Sequence, residues 1–324
     1  MLRHCLYCGR KLAHDEGLEH LRRGVRVSFD PARERVWSVC DRCHGWSLWP
    51  DDTSHEALPR LERDATDRAH LLYQTDNVAL LEATGRELIR IGRTELPEEA
   101  WWRYGRQLRR RRAAYHSRLS MLGAATYAAV SYIGSNLGLS GITGDFYPPD
   151  DLYADIIRWR WFGRTAWAGR APCPQCHSVL IRLFFYRTRF LILLPSAERG
   201  PSIALPCSRC DPWTVDKVHR LDGAAAEQVL RRVLAYHNVQ GASQDELADA
   251  IRLIETAGSA ENLVSGLAAE RRSLFGLGRI RRLALEISVN ANVERRRLAG
   301  EVAELEAGWR QADDIAQIIE EELA

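Results

Sequence analysis

Eight cysteines stand in four Cys-x-x-Cys pairs, Cys5–Cys8, Cys40–Cys43, Cys173–Cys176 and Cys207–Cys210. The pairs group two by two: 31 residues separate the first two and 30 separate the last two. Cysteines at this spacing can hold a soft metal as thiolates, cycle as a redox dithiol or, with a following histidine, attach haem. The grouping favours metal. A tight Cys-x-x-Cys turn offers two sulfurs to one ion, and two such turns complete a tetrahedron. Cys5, Cys8, Cys40 and Cys43 are the expected ligands of one zinc ion. Cys173, Cys176, Cys207 and Cys210 are those of a second. Four thiolates leave no coordination position open, so both metals are expected to be structural.

The alternatives explain less. Cys40-Asp-Arg-Cys43-His44 and Cys173-Pro-Gln-Cys176-His177 both fit the haem-attachment pattern. Yet each has a partner pair at matching distance, no export signal is read, and only Met1 and Met121 could serve as a methionine ligand. A redox role leaves the grouping unexplained. His4, His44 and His177 are expected beside the metals and not on them. Thiolates persist where disulfides do not form, so a cytoplasmic location is expected.

At Cys5-x-x-Cys8-Gly9 and Cys40-x-x-Cys43 the chain resembles the zinc ribbon superfamily, over about 45 residues, and the second cysteine group repeats the likeness. The resemblance implies β units held by metal. It is not specific for role, since zinc ribbons serve transcription, translation and protein assembly. Val27-Ser-Phe-Asp-Pro with Arg35-Val-Trp, and Leu305 to Ile315 in the last helix, resemble bacterial proteins of unassigned function. That likeness implies a bacterial origin.

Around these cysteines the chain predicts an α+β protein. Residues 1–50 form the first ribbon, with a hairpin of Val25–Asp30 and Arg35–Val39 turning at Asp30-Pro31. Residues 51–118 form an α/β insert. Its first helix is expected over 53–72, from the spacing of Leu58, Leu61, Ala65, Ala69 and Leu72. A hairpin follows around Thr84-Gly85-Arg86. A second helix is expected to open at Glu95-Leu-Pro97. Residues 119–154 are a Gly/Ser-rich connection, uncharged as far as Gly144. Residues 155–221 form the second ribbon, with apolar strands Leu180–Tyr186 and Phe190–Leu194 expected to pair through Arg187-Thr-Arg189. The order knuckle, strands, knuckle recurs, which reads as a duplication. Residues 222–324 lack cysteine and proline and read as helical, with a capping box at Ser243-x-x-Glu246. The last helix carries a heptad seam: Leu298, Val302, Leu305, Trp309, Ala312, Ala316, Ile319 and Leu323.

The net charge of +2 over 324 residues drives no global attraction to nucleic acid or lipid. Almost all basic residues are arginine; Lys11 and Lys217 are the only lysines. Arg103, Arg106, Arg109, Arg110, Arg111 and Arg112 cluster in the second helix, beside Trp101 and Trp102. They are candidates for phosphate contact, on nucleic acid or on anionic lipid. Residues 119–142 follow without a charge and are a candidate membrane contact, diluted by glycine and serine. No phosphate loop, nucleophile elbow or His-Glu-x-x-His motif is present. Asp313-Asp314 read as solvated, and the trio Asp64, Asp67 and His70 as chance spacing. The expected protein is therefore a non-enzymatic zinc-binding adaptor with no small-molecule substrate. Its partner would be another protein, or a second copy through the heptad seam. A nucleic-acid-binding regulator and a membrane-adjacent subunit are the alternatives.

Overall fold

A computed structural model describes residues 4, 5, 7–10, 13, 14, 22, 23, 25–83, 85–117, 125, 129, 132, 149–195, 201–207, 209, 210 and 218–323. The expectation for residues 119–142 falls almost wholly outside them. The fold is α+β, as the sequence predicts, and divides into two compact units. The first contains Met1–Arg103 and Asn292–Ala324; the second contains Tyr104–Ala291.

The first unit is built on one six-stranded sheet. Short strands β1 (Ala13–His14) and β2 (Arg22–Arg23) pair with each other outside it. The sheet contains β3 (Val25–Asp30), β4 (Arg35–Cys40), β5 (Trp46–Leu48), β6 (Ala69–Gln74), β7 (Val78–Ala83) and β8 (Arg86–Ile91). Their order is β5-β4-β3-β8-β7-β6, antiparallel except for the β3–β8 pair. Both predicted hairpins form, β3–β4 and β7–β8. The parallel pair joins the hairpin read with the first cysteines to the hairpin read with the insert.

Each face of this sheet is covered by a helix. Helix α1 (Asp51–Asp67) lays Leu58, Leu61 and Ala65 over Val27, Phe29, Val36, Leu81 and Leu88. The opposite face carries Trp37, Val39, Leu80, Ile89 and Ile91, and the last helix covers it with Leu298, Val302 and Leu305. Strand β7 is buried along its whole length for this reason, since side chains alternate between two covered faces. Two sequence readings are corrected. The first helix stops at Asp67, and Ala69 and Leu72 belong to a strand that happens to continue the helical spacing. The second helix, α2 (Trp101–Tyr115), starts later than Pro97 because the Glu99 N–H is spent on the Leu71 carbonyl at 2.6 Å.

The second unit contains α3 (Pro149–Phe162), α4 (Gly223–His237), α5 (Gln244–Thr256) and α6 (Ala260–Ala269). The start of the last helix, α7 (Arg279–Leu323), as far as Ala291, also belongs here. The capping box at Ser243 and Glu246 is formed. Strands β9 (Thr165–Pro172) and β10 (Val179–Phe184) pair antiparallel. A separate sheet orders β11 (Ile192–Leu194), β12 (Ser202–Pro206) and β13 (Val218–Leu221). The predicted pairing of Leu180–Tyr186 with Phe190–Leu194 does not occur. A 3₁₀ turn over Phe185–Phe190 separates them, and each takes another partner. Leu183, Phe185, Leu193, Ile203 and Leu205 then bury against Val229, Leu230 and Val233 of α4.

The first part of the heptad seam packs within the chain. Leu298, Val302 and Leu305 are fully buried on the sheet of their own chain, with Trp309 and Ala312 beside them. Further along the same seam Ala316 is buried, whereas Ile319 is exposed. Asp313 is not solvated: Arg33 donates to it, and Arg35 lies 2.9 Å away. Two glycines interrupt this helix for different reasons. A Cβ on Gly300 would meet nothing within 4 Å, whereas one on Gly308 would lie 2.7 Å from Trp46 Nε1 and 3.0 Å from its Cδ1. Gly308 is the groove into which the Trp46 ring fits. Gly300→Ala is expected to raise stability by about 1 kcal/mol, the usual helix-propensity gain. Gly308→Ala should lower it, because a buried indole must move. Thermal unfolding of the two variants checks the opposite signs.

Candidate metal centres

The sulfur atoms of Cys5, Cys8, Cys40 and Cys43 all lie within 4.8 Å of one another, and so do those of Cys173, Cys176, Cys207 and Cys210. The closest recorded approaches cross between knuckles: Cys5–Cys43 at 3.6 Å, Cys8–Cys40 at 3.9 Å, Cys176–Cys207 at 3.6 Å and Cys173–Cys210 at 3.9 Å. A disulfide needs about 2.05 Å. All eight cysteines are free, in two quartets able to hold metal ions.

Strand geometry delivers these sulfurs. Cys40 ends β4 and Cys43 precedes β5, so this knuckle is the turn of a strand pair. Cys173 follows β9 and Cys176 precedes β10, which repeats the arrangement. The partner knuckles arrive from elsewhere, Cys5 and Cys8 from the start of the chain and Cys207 from the end of β12.

Three of the knuckles share one backbone pattern. The N–H of the first cysteine donates to the carbonyl five residues on: Cys5 to Arg10 at 2.9 Å, Cys40 to Gly45 at 3.0 Å, Cys173 to Ser178 at 2.8 Å. Its own carbonyl accepts from the N–H four residues on, of Gly9, His44 and His177. That fourth residue adopts a left-handed conformation, with φ of 65° at Gly9, 53° at His44 and 54° at His177. The histidines that mimic a haem motif therefore occupy the turn position that glycine fills in the first knuckle. Neither belongs to a quartet. The His44 Nδ1 instead lies 3.2 Å from Glu304.

Side chains lock the first centre together. Tyr7 donates its hydroxyl to the Trp46 carbonyl at 2.7 Å, and Arg10 pairs with Asp41 at 2.6 Å. The Tyr7 ring lies against Gly45 so closely that a Cβ there would collide with it. In the second centre Ser178 Oγ lies 3.0 Å from the Cys176 sulfur and 3.2 Å from the Cys207 sulfur. Burial works against ionising Cys207, but hydrogen bonds from Ser178 and from the Arg209 and Cys210 N–H groups bring its pKa down to about 5. Hydrogen bonding to Ser178 also lowers Cys176. Cys210, sharing hydrogen bonds with Cys176 and the other sulfurs, is pushed up to about 12. Burial does the same to Cys43, also to about 12. Each quartet thus holds protons that a bound cation would displace.

The arginines singled out in α2 are differently placed. Arg103 donates to Glu301 and lies near Glu87 and Glu294, at 3.4 and 3.7 Å. Arg26 completes the cluster, 2.8 Å from Glu87 and 2.6 Å from Glu301. Arg111 donates to Glu286 at 2.8 Å; that carboxylate is fully buried and also accepts from Tyr104 and Asn238. Arg112 lies 3.6 Å from Glu246. Arg106 and Arg109 are half-buried and Arg110 is exposed. These contacts absorb much of the basic character that the sequence displays. His70, read with Asp64 and Asp67, is stacked on Trp102 at 4.0 Å. Among the described residues, no helix is long and apolar enough to cross a membrane. No family model, curated protein or solved structure matches the chain.

A left-handed residue other than glycine costs on the order of 1 kcal/mol, and more when branched at Cβ. His177→Gly is therefore expected to keep the second centre and its stability. His177→Val should weaken metal retention at that centre alone. Competition with a chromogenic chelator reads both.

Proposed function

We propose that the chain is a structural zinc protein of zinc-ribbon type, in which two Cys₄ centres hold β units rigid as non-enzymatic binding surfaces. The observation that carries this reading is the pair of sulfur quartets. Sulfurs 2.3 Å from a tetrahedral zinc ion lie about 3.8 Å apart. The recorded distances of 3.6 and 3.9 Å match that edge. The donor set supports zinc over harder ions, because four thiolates suit a soft, redox-inert cation. Four protein ligands also leave no position for water or substrate, which supports a structural role over a catalytic one. Backbone N–H groups add to this: Gly45 donates to Cys43, Ser178 to Cys176, and Arg209 and Cys210 to Cys207, which offsets the negative charge of the sulfurs. Such centres persist where thiols stay reduced, which supports a cytoplasmic location.

Native mass spectrometry of the protein purified without added metal tests the reading. Two zinc ions per chain are expected, falling to one in Cys8→Ser and in Cys176→Ser. An iron-containing or haem-containing mass, or a metal-free chain with intact fold, would overturn it.

A further inference from the structure

Charge is segregated in the second unit. From Ile156 to Ala197 the sequence has seven arginines and no acidic residue, in a chain whose net charge is only +2. The arginines of α2 are largely answered by carboxylates. Those on the β9–β10 hairpin and the end of α3 are not: Arg160, Arg164, Arg170 and Arg182 are exposed, with no acidic partner among the described residues. Arg182 stands opposite Ala168, and Arg170 lies in the irregular stretch of β9 between that pair and the Ala171–Leu180 pair; both side chains are exposed.

Large aromatic side chains accompany this charge instead of joining the core. Trp159 is 63% exposed, Tyr186 68% and Trp161 41%. Trp159 and Tyr186 border an open cavity of about 490 Å³, with Phe184, Tyr236 and Arg164 also lining it. Phe184 and Tyr186 are already near-parallel, at 14° and 5.9 Å between ring centres. Among the described residues Asp155 is the one acid at this cavity, and Arg158 holds it at 2.9 Å. Exposed rings cost solvation and are retained where a planar partner covers them. Rings beside unanswered guanidinium groups suit a polymer with flat bases and a phosphate backbone. A duplex hides its base faces; a single strand presents them.

We propose that the face formed by the end of α3 and the β9–β10 hairpin binds single-stranded nucleic acid. Bases stack on Trp159 and Tyr186, and Arg164, Arg170 and Arg182 hold the phosphates. The proposal deepens the zinc-protein reading and rests on it, because the Cys173–Cys176 knuckle at the hairpin turn fixes the strands that present Arg170 and Arg182.

The test uses the full, metal-loaded chain and fluorescein-labelled DNA and RNA single strands of about 12 nucleotides, followed by anisotropy across a salt series. Binding is expected to weaken steeply with salt. Trp159→Ala and Tyr186→Ala should each weaken it about tenfold. Arg170→Gln and Arg182→Gln should each reduce the salt slope by about 0.7. All four variants change exposed side chains and should keep the zinc content and melting temperature of the parent, which are measured alongside. A correctly metallated chain that binds neither strand at low salt would overturn the proposal. So would equal binding by the variants, or binding only to phosphatidylcholine–phosphatidylglycerol vesicles. A chain without metal overturns the underlying zinc reading instead, and the mass spectrum reveals that before any oligonucleotide is added.

Discussion

Bringing four sulfur atoms within 4.8 Å at two places is the constraint to which the nearby structure answers. Thiols do not attract one another enough to close such a quartet, and thiolates repel. A bound cation would supply the missing attraction, worth on the order of 10 kcal/mol at structural zinc sites. The first centre ties the start of the chain to a sheet edge, where Tyr7 and Arg10 add only a few contacts. The second ties the turn of a two-stranded hairpin to the end of β12. Two strands alone are marginal in water. The left-handed turns at Gly9, His44 and His177 follow from the same demand, because a tight knuckle must fold back to present both sulfurs.

Charge obeys a second constraint, visible only in three dimensions. Arg26, Arg103 and Arg111 are held against Glu87, Glu286 and Glu301 inside the protein. Removing one member of such a cluster leaves a buried charge unanswered, a far larger effect than loss of a surface pair. Glu301 remains below the usual carboxylate range despite its burial, because Arg103 and Arg26 surround it. Guanidinium groups used in this way are structural. The contrast with the exposed arginines of the hairpin separates charge answered within the fold from charge that faces solvent.

Much of this was legible in the sequence. The cysteine spacing identified both quartets, because metal geometry tolerates little variation in the turn. The β3–β4 and β7–β8 hairpins were legible from alternation and from Asp30-Pro31 and Gly85, which are local signals. Failures arose where distant contacts decide. Ala69 and Leu72 continue the spacing of α1, yet pairing with β7 draws them into the sheet. The apolar run at Leu180–Leu194 looked like two paired strands, but the knuckle at Cys173 gives β10 a nearer partner in β9. The heptad seam is apolar as its spacing shows; that the sheet of its own chain covers Leu298, Val302 and Leu305 could not be read from the helix. The pairing of Arg103 with Glu294 and Glu301 spans some two hundred residues and leaves no local trace.

Amide hydrogen exchange of the loaded and chelated chain tests most directly whether the sulfur quartets hold these strands. If they do, removing metal strips protection from β4–β5 around Cys40 and from β9–β10 around Cys173, while α4 and α5, which carry no ligand, keep theirs. Unchanged protection in both strand pairs after complete metal removal would contradict the account.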